Sequence, residues 1–254
     1  MQEGQPQPLL KCLPPTWPSF RWLKSSGNQE SLESCYQWVS TEGLESRILC
    51  ISGASGSGMT TLLFQLEKQL RRNSQRVLSL RDDTDADERL ILAQLVEELR
   101  LPNARKYDSF NFLGGVYEYV LALRRYMFII IHDVERFMYF TRPVIQANFD
   151  AISLLLNLAV GCRIVVAGES EAIEKYCSYF SDSRPRVVEL NPMPLGLEYT
   201  DFVCDVWRRY IGPDLPSKAV VKEIHNATGG LVGTTFTYLS MRSAEQAVGP
   251  YEGS

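Results

Sequence analysis

The run Ile48-Leu49-Cys50-Ile51-Ser52-Gly53-Ala54-Ser55-Gly56-Ser57-Gly58-Met59-Thr60-Thr61 spaces its glycines and hydroxyls as a phosphate-binding loop does, with a thioether in the lysine position. In the G-x-x-x-x-G-K-S/T pattern, backbone N–H groups of the turn surround the phosphates, the lysine reaches the β- and γ-phosphates, and the hydroxyl holds Mg²⁺. Gly53, Gly58 and Thr60 stand in register, and Met59 replaces the cation. The flanks are right for such a loop: Ile48 to Ile51 is an apolar run entering it, and Thr61 to Leu70 leaves it at helical period. A Gly/Ser turn without a ligand is the alternative, and the combined spacing and flanks weigh against it. The cofactor-binding candidates are therefore Gly53, Ser55, Gly56, Ser57, Gly58, Met59, Thr60 and Thr61. ATP and Mg²⁺ are the ligands to expect, bound weakly or not at all. A turn leading into a helix N-terminus attracts anions without any side chain. Hydrolysis depends on charge stabilisation at the transferring phosphoryl group, so it suffers more than binding.

The rest of the chain alternates strands and helices. Arg76 to Leu80, Met127 to Ile131 and Arg163 to Gly168 read as further strands, the second a continuous apolar run of the kind found in buried parallel sheets. Residues 29–46, Leu90 to Leu99, Phe110 to Arg125 and Ile145 to Ala159 read as helices between them. This pattern predicts an α/β fold, a parallel sheet flanked by helices. From Tyr199 onward strands become scarce, and Phe202 to Tyr210, Lys218 to Asn226 and Leu231 to Ala247 read as three helices of a small lid. The expected organisation is an extended arm over 1–28, rich in proline with Trp17, Phe20 and Trp22 as anchors, a core over 29–196, and a helical lid with a loose tail over 197–254. The acidic cluster Asp82 to Glu88 reads as a solvated loop and helix N-terminus rather than a metal site.

Across 254 residues, 45% are hydrophobic, enough for one α/β core and a helical appendage. No apolar stretch approaches the roughly 20 residues of a membrane span, and Met1 to Pro6 lacks the basic start and apolar middle of a signal peptide. A cytoplasmic location is expected. The six cysteines, Cys12, Cys35, Cys50, Cys162, Cys177 and Cys204, include no C-x-x-C pair and read as buried or incidental thiols. A net charge of −4 argues against a lone nonspecific DNA binder. It leaves room for a local basic strip in an oligomer that tracks a duplex.

A P-loop hydrolase needs a carboxylate at the end of a buried strand to position Mg²⁺, and often a second acid to activate water. Ile129-Ile130-Ile131-His132-Asp133-Val134-Glu135 occupies that place, but its first polar residue is His132. Imidazole is a poor partner for hard Mg²⁺, which prefers oxygen. A shifted frame keeps activity alive, with Thr60 and Asp133 on the metal and Glu135 as base, and requires a local distortion of the backbone.

The order of these pieces resembles the AAA+ transposition regulators of the TniB/TnsC type, over about Glu30 to Ala247. The resemblance rests on the Gly53 to Thr61 loop, on Phe128 to Arg136, on Val165-Val166-Ala167-Gly168-Glu169, and on Trp207 to Pro216 and Ala227 to Gly233 in the lid. It implies an ATPase fold that assembles on double-stranded DNA as rings or filaments with other AAA+ subunits. It further implies contacts with target-selector proteins and a transposase. Against that family Met59 replaces the phosphate-binding lysine, His132 the Mg²⁺-coordinating Asp, and Asp133 shortens the catalytic Glu. Glu169 falls at a polar sensor position, and Thr234 where a lid arginine is expected. Together these changes imply a nucleotide site that is weak or dead. Arg184 and Arg186 fall near the family's arginine that reaches a neighbour's nucleotide, with ordinary surface arginines as the alternative. Arg105 and Lys106 fall near its DNA-tracking segment, with a solvated loop as the alternative.

Overall fold

A computed structural model describes residues 26–41, 46–80, 91–100, 114–138, 141–157 and 161–248. Strands β1 (Ile48–Gly53), β2 (Arg76–Leu80), β3 (Tyr126–Ile131), β4 (Arg163–Gly168) and β5 (Arg186–Leu190) form one parallel sheet in the order β2-β3-β4-β1-β5. The expected parallel sheet flanked by helices is thus the fold of this chain. The fifth strand was not anticipated, because five residues with exposed Arg186, Val187 and Glu189 lack the apolar run that marks the central strands.

Successive residues of a strand point to opposite faces, and here both faces are apolar. Ile48, Cys50, Ile129, Ile131, Ile164 and Val166 pack on one side with α3 (Ile91–Glu98), α6 (Arg142–Asn157) and α7 (Ser170–Tyr179). Leu49, Ile51, Phe128, Ile130, Val165 and Ala167 pack on the other with α1 (Ser26–Ser40) and α2 (Met59–Arg72). Each of the Val, Leu, Ile and Phe side chains, fully buried, contributes about 1.5–3 kcal/mol, which explains why the central strands read as unbroken hydrophobic runs. Helix α4 (Gly114–Leu123) precedes β3, and the single-turn α5 (Glu135–Met138) follows it.

Helix α1 is fastened by Arg163 of β4. Its guanidinium donates to the Trp38 and Val39 carbonyls at 3.1 and 2.5 Å and to the Thr41 carbonyl at 2.7 Å, and lies 5.7 Å from the indole centroid of Trp38. One side chain thereby satisfies two of the four carbonyls that a helix leaves without partners at its C-terminus, and the first carbonyl beyond it.

Helices α8 (Leu197–Tyr210), α9 (Lys218–Thr228) and α10 (Val232–Val248) enclose their own apolar cluster, with Tyr199, Phe202, Val203, Val206, Val221, Ile224 and Leu239 buried. Ser217 caps α9, accepting from the Val220 N–H, and Gly229 ends it in the left-handed region at φ 61°. At the centre three hydroxyls close a triangle: Tyr199 to Thr228 at 3.1 Å, Tyr199 to Thr235 at 3.0 Å, and Thr228 to Thr235 at 2.9 Å. Burying hydroxyls is tolerated because each finds partners.

Residues 1–25 of the expected arm, the Asp82 to Glu88 cluster, Arg105 and Lys106, and the tail from Gly249 lie outside the described residues. Among the described residues no helix is long and apolar enough to cross a membrane.

Candidate functional site

The parallel sheet places the C-terminal ends of β1, β4 and β3 side by side, and ligands of open α/β sheets bind beyond such ends. The 54–58 turn follows β1, Glu169 follows β4, and His132, Asp133 and Glu135 follow β3. Elements far apart in sequence therefore meet around one pocket of about 250 Å³. It is lined by Ser55, Gly56, Gly58, Met59, Thr60 and Thr61 from the turn and first turn of α2. Asp133, Glu135 and Glu169 come from the strand ends, and Gly233 and Thr237 from α10.

The turn has the backbone its glycines were expected to permit. Gly56 and Gly58 adopt φ 81° and 93°, and the Gly58 carbonyl accepts the Leu62 N–H at 3.0 Å as α2 begins. The first N–H groups of α2 have no partner within the helix, and Met59, Thr60 and Thr61 border the pocket there. Gly53 and Ser57 instead face inward. The Ser57 hydroxyl is buried without a hydrogen-bond partner, in the space that a side chain on Gly53 would occupy. Met59 is half-buried and packs against the apolar cluster beneath the turn.

At the end of β3, His132 is buried and turns away from the pocket lining. Its Nε2 lies 3.0 Å from the Ser79 hydroxyl on β2, and its N–H donates to the Leu80 carbonyl at 3.2 Å. Ser79 went unremarked in the sequence because only the sheet brings it beside His132. Asp133 sits at φ 50°, a left-handed conformation uncommon for a residue with a side chain. Asp133 and Glu135 both border the pocket. Glu135 accepts the Glu169 N–H at 3.1 Å. Burial raises its carboxyl above the usual range against the opposing effect of its backbone hydrogen bonds, and the neighbouring charges of Asp133 and Glu169 raise it further.

The lid closes the pocket from above. The Gly56 carbonyl accepts two N–H groups of α10, from Gly233 at 2.8 Å and Thr234 at 3.2 Å. Thr234, expected near the nucleotide in place of an arginine, lies over the loop apex, where a Cβ on Gly56 would collide with its hydroxyl. Thr237, one turn further along the same face as Gly233, joins the lining without having been singled out in the sequence.

Among the described residues the lining carries Asp133, Glu135 and Glu169 and no Lys or Arg. Among the described residues no three His, Cys, Asp or Glu side chains gather as a metal cluster. Arg184 and Arg186 are exposed at the opposite end of the sheet. Arg184 adopts φ 45° after a short turn, and Arg186 pairs with Leu49, four residues before Gly53, about 13 Å along the strand. A larger cavity, about 670 Å³, lies along β2 and the end of α2, where Arg71 pairs with Glu67 at 2.8 Å; no residue of the 54–58 turn is among the described residues that line it.

Residues 44–176, more than half of the chain, match the family profile described as an AAA domain. Among solved structures the chain is similar to Cdc6p from Pyrobaculum aerophilum, with 17% identity, TM-score 0.63, and coverage of 91% of this chain and 65% of that one. It is similar to the Walker-type ATPase PABY2304 of Pyrococcus abyssi, with 12% identity, TM-score 0.57, and coverage of 87% and 72%. AMPPCP-bound DnaA from Aquifex aeolicus aligns at 17% identity, TM-score 0.52, over 89% of this chain and 60% of that one. The chain thus spans under two thirds of the Cdc6p and DnaA chains. No curated protein matches it by sequence.

Proposed function

From the premise that this chain belongs to the AAA domain family, we propose that it is an AAA+ adaptor or regulator of DNA transposition of the TniB/TnsC type, with weak or no ATP hydrolysis. In this reading residues 29–196 are the AAA+ core, 197–254 the lid and tail, and 1–28 an arm. The protein bridges target-site selectors and a transposase within an assembly on double-stranded DNA. Arg184 and Arg186, at the end of the sheet away from the chain's own loop, complete the site of a neighbouring AAA+ subunit. Arg105 and Lys106 contact phosphate.

One observation carries the enzymatic half of the proposal: among the described residues the pocket lining holds three carboxylates and no Lys or Arg. A triphosphate brings charge of the same sign as those acids, and phosphoryl transfer depends on positioned positive charge. The volume of about 250 Å³ is also below the roughly 300–1,000 Å³ of ordinary small-molecule sites. The residues present therefore do not fit Mg²⁺-triphosphate in this arrangement. The transposition half is supported by the order and spacing of the resembling segments.

The convergence of Thr60, Asp133 and Glu135 on one pocket favours a second reading, an ATPase using shifted ligands. Phosphate release by the purified chain, with duplex DNA present and M59K measured alongside, separates the two. The adaptor reading expects no release above background, and appreciable turnover by the unmodified chain sinks it. A transposase gene beside this one is required by the transposition role, and its absence removes that role while leaving the fold untouched.

A further inference from the structure

Two cysteines far apart in the chain meet beneath the sheet's loop-bearing strand. Cys50 is the third residue of β1 and fully buried; Cys177 lies in the second half of α7 and is partly exposed. Their sulfurs stand 3.7 Å apart in a shared S–H···S contact. The surroundings are apolar, with Val166, Ile173 and Tyr176 in the same cluster. We propose that Cys177 and Cys50 form a reversible redox site, in which a hydroperoxide oxidises the exposed Cys177 and the buried Cys50 resolves it to an intramolecular disulfide.

The chemistry balances in two steps. A lone pair of the Cys177 thiolate attacks the distal peroxide oxygen, the O–O bond breaks, and the alkoxide or hydroxide released takes up a proton. Cys177 is then a sulfenic acid, oxidised by two electrons, and the peroxide is reduced to alcohol or water. Cys50 next attacks the Cys177 sulfur, the S–OH bond breaks, and the Cys50 proton leaves with the hydroxide as water. The S–S bond of about 2.05 Å requires the sulfurs to approach by about 1.7 Å from their present separation.

The division of labour follows from the environment of each thiol. The hydrogen bond shared with Cys50 holds the Cys177 thiol down, at about 7, against the opposing effect of burial. The same hydrogen bond, then burial, then the Cys177 charge hold Cys50 well above its ordinary value. The partly exposed thiol is thus the readier of the two to ionise and the buried one holds its proton, the arrangement of an attacking and a resolving cysteine. Oxidation of Cys177 removes its negative charge, and with it two of the three influences that kept Cys50 protonated. The resolving thiol is activated only after the first step.

The other cysteines among the described residues supply internal controls. Cys204 is also partly exposed, but burial, with the charges of Asp201 and Asp205, raises its thiol against the opposing charge of Arg208. Cys35 and Cys162 are buried, with thiols raised by burial to about 12 and about 11. The link would join β1, which enters the 54–58 turn, to α7, which starts after Glu169 at the same pocket.

The test uses the full chain, natively folded, treated with a few equivalents of hydrogen peroxide, alkylated, digested and mapped by mass spectrometry. The expected product is a Cys50–Cys177 peptide pair that disappears on reduction, and before oxidation Cys177 should alkylate roughly tenfold faster than Cys204 at pH 7. C50A should stall at the Cys177 sulfenic acid, trapped by a cyclic 1,3-dione, while C177S should leave Cys50 unmodified. A disulfide joining Cys177 to any other cysteine, or alkylation of Cys177 no faster than that of Cys204, overturns the proposal. Because the mapping is made on the unmodified chain, misfolding of either variant does not blunt it.

Discussion

The N–H of Gly233 donates to the Gly56 carbonyl at 2.8 Å, tying the first turn of α10 to the apex of the loop. The first donors of a helix need partners outside it, and here the loop supplies one. The contact depends on two glycines. A Cβ on Gly233 would stand 2.8 Å from the Gly56 oxygen, and one on Gly56 would meet the Thr234 hydroxyl.

G233A should pry the lid from the loop. The lost cap costs about 1 kcal/mol, partly offset by the better helix propensity of alanine, so the net change in stability is small. Hydrogen exchange at the Gly56–Gly58 turn and the start of α10 is the sharper measurement, and it should speed up at both together. Unchanged protection on either side would show that the contact does not hold the lid.

M59K places a cation among three carboxylates at the mouth of the pocket. Without nucleotide, the charge at a helix N-terminus opposes the helix dipole by about 0.3–1 kcal/mol, so the melting temperature should drop slightly or stay level. Affinity for a non-hydrolysable ATP analogue should rise at least about tenfold, some 1.4 kcal/mol, as read by calorimetry. Equal affinity in both proteins would mean that Met59 is not what limits binding.

H132D restores the residue type that the family resemblance leads one to expect, yet it should destabilise the fold. His132 is buried against Ser79 between apolar β3 and Val134, and a carboxylate there loses solvation with Glu135 and Asp133 close in sequence. A loss of about 1–3 kcal/mol at pH 7, shrinking toward pH 4 as the carboxyl takes up a proton, is expected from urea titration. A variant as stable at pH 7 as the parent would contradict the reading of this position as structural.

E135Q should stabilise increasingly as pH rises. The folded-state carboxyl is raised above its ordinary value, mainly by burial, so the folded protein holds the proton more tightly than the unfolded chain does. Stability from this group is complete below the unfolded value and is lost as pH climbs through the folded one. Glutamine keeps an acceptor for the Glu169 N–H without the charge. The variant should match the parent near pH 4 and exceed it by under about 1 kcal/mol at pH 8, and a difference in the opposite direction would refute the assignment.

Y199F removes one corner of the buried hydroxyl triangle in the lid. Thr228 and Thr235 still bond each other at 2.9 Å, so neither is orphaned, and the expected loss is about 1 kcal/mol. A loss several times larger would show that the triangle acts as one unit.

What the sequence determined by itself was local. The glycine spacing, the apolar runs Ile48 to Ile51 and Met127 to Ile131, and the helical periods after them specified a parallel α/β sheet, because strand burial and helix amphipathicity are written in short windows. Met59, His132 and Glu169 were legible for the same reason, Met59 by its place in the glycine spacing and the other two by lying one residue past a strand end. The strand Arg186–Leu190 was not, because an edge strand carries no buried run. Tertiary structure alone decided what lies across from what. It set Ser79 against His132, Gly233 and Thr234 against Gly56, and Cys177 against Cys50. Such contacts join elements up to 178 positions apart through sheet order and lid packing, and no local pattern encodes either. The missing lysine was visible in one line of sequence; the pocket of three acids beneath a tethered lid required the fold.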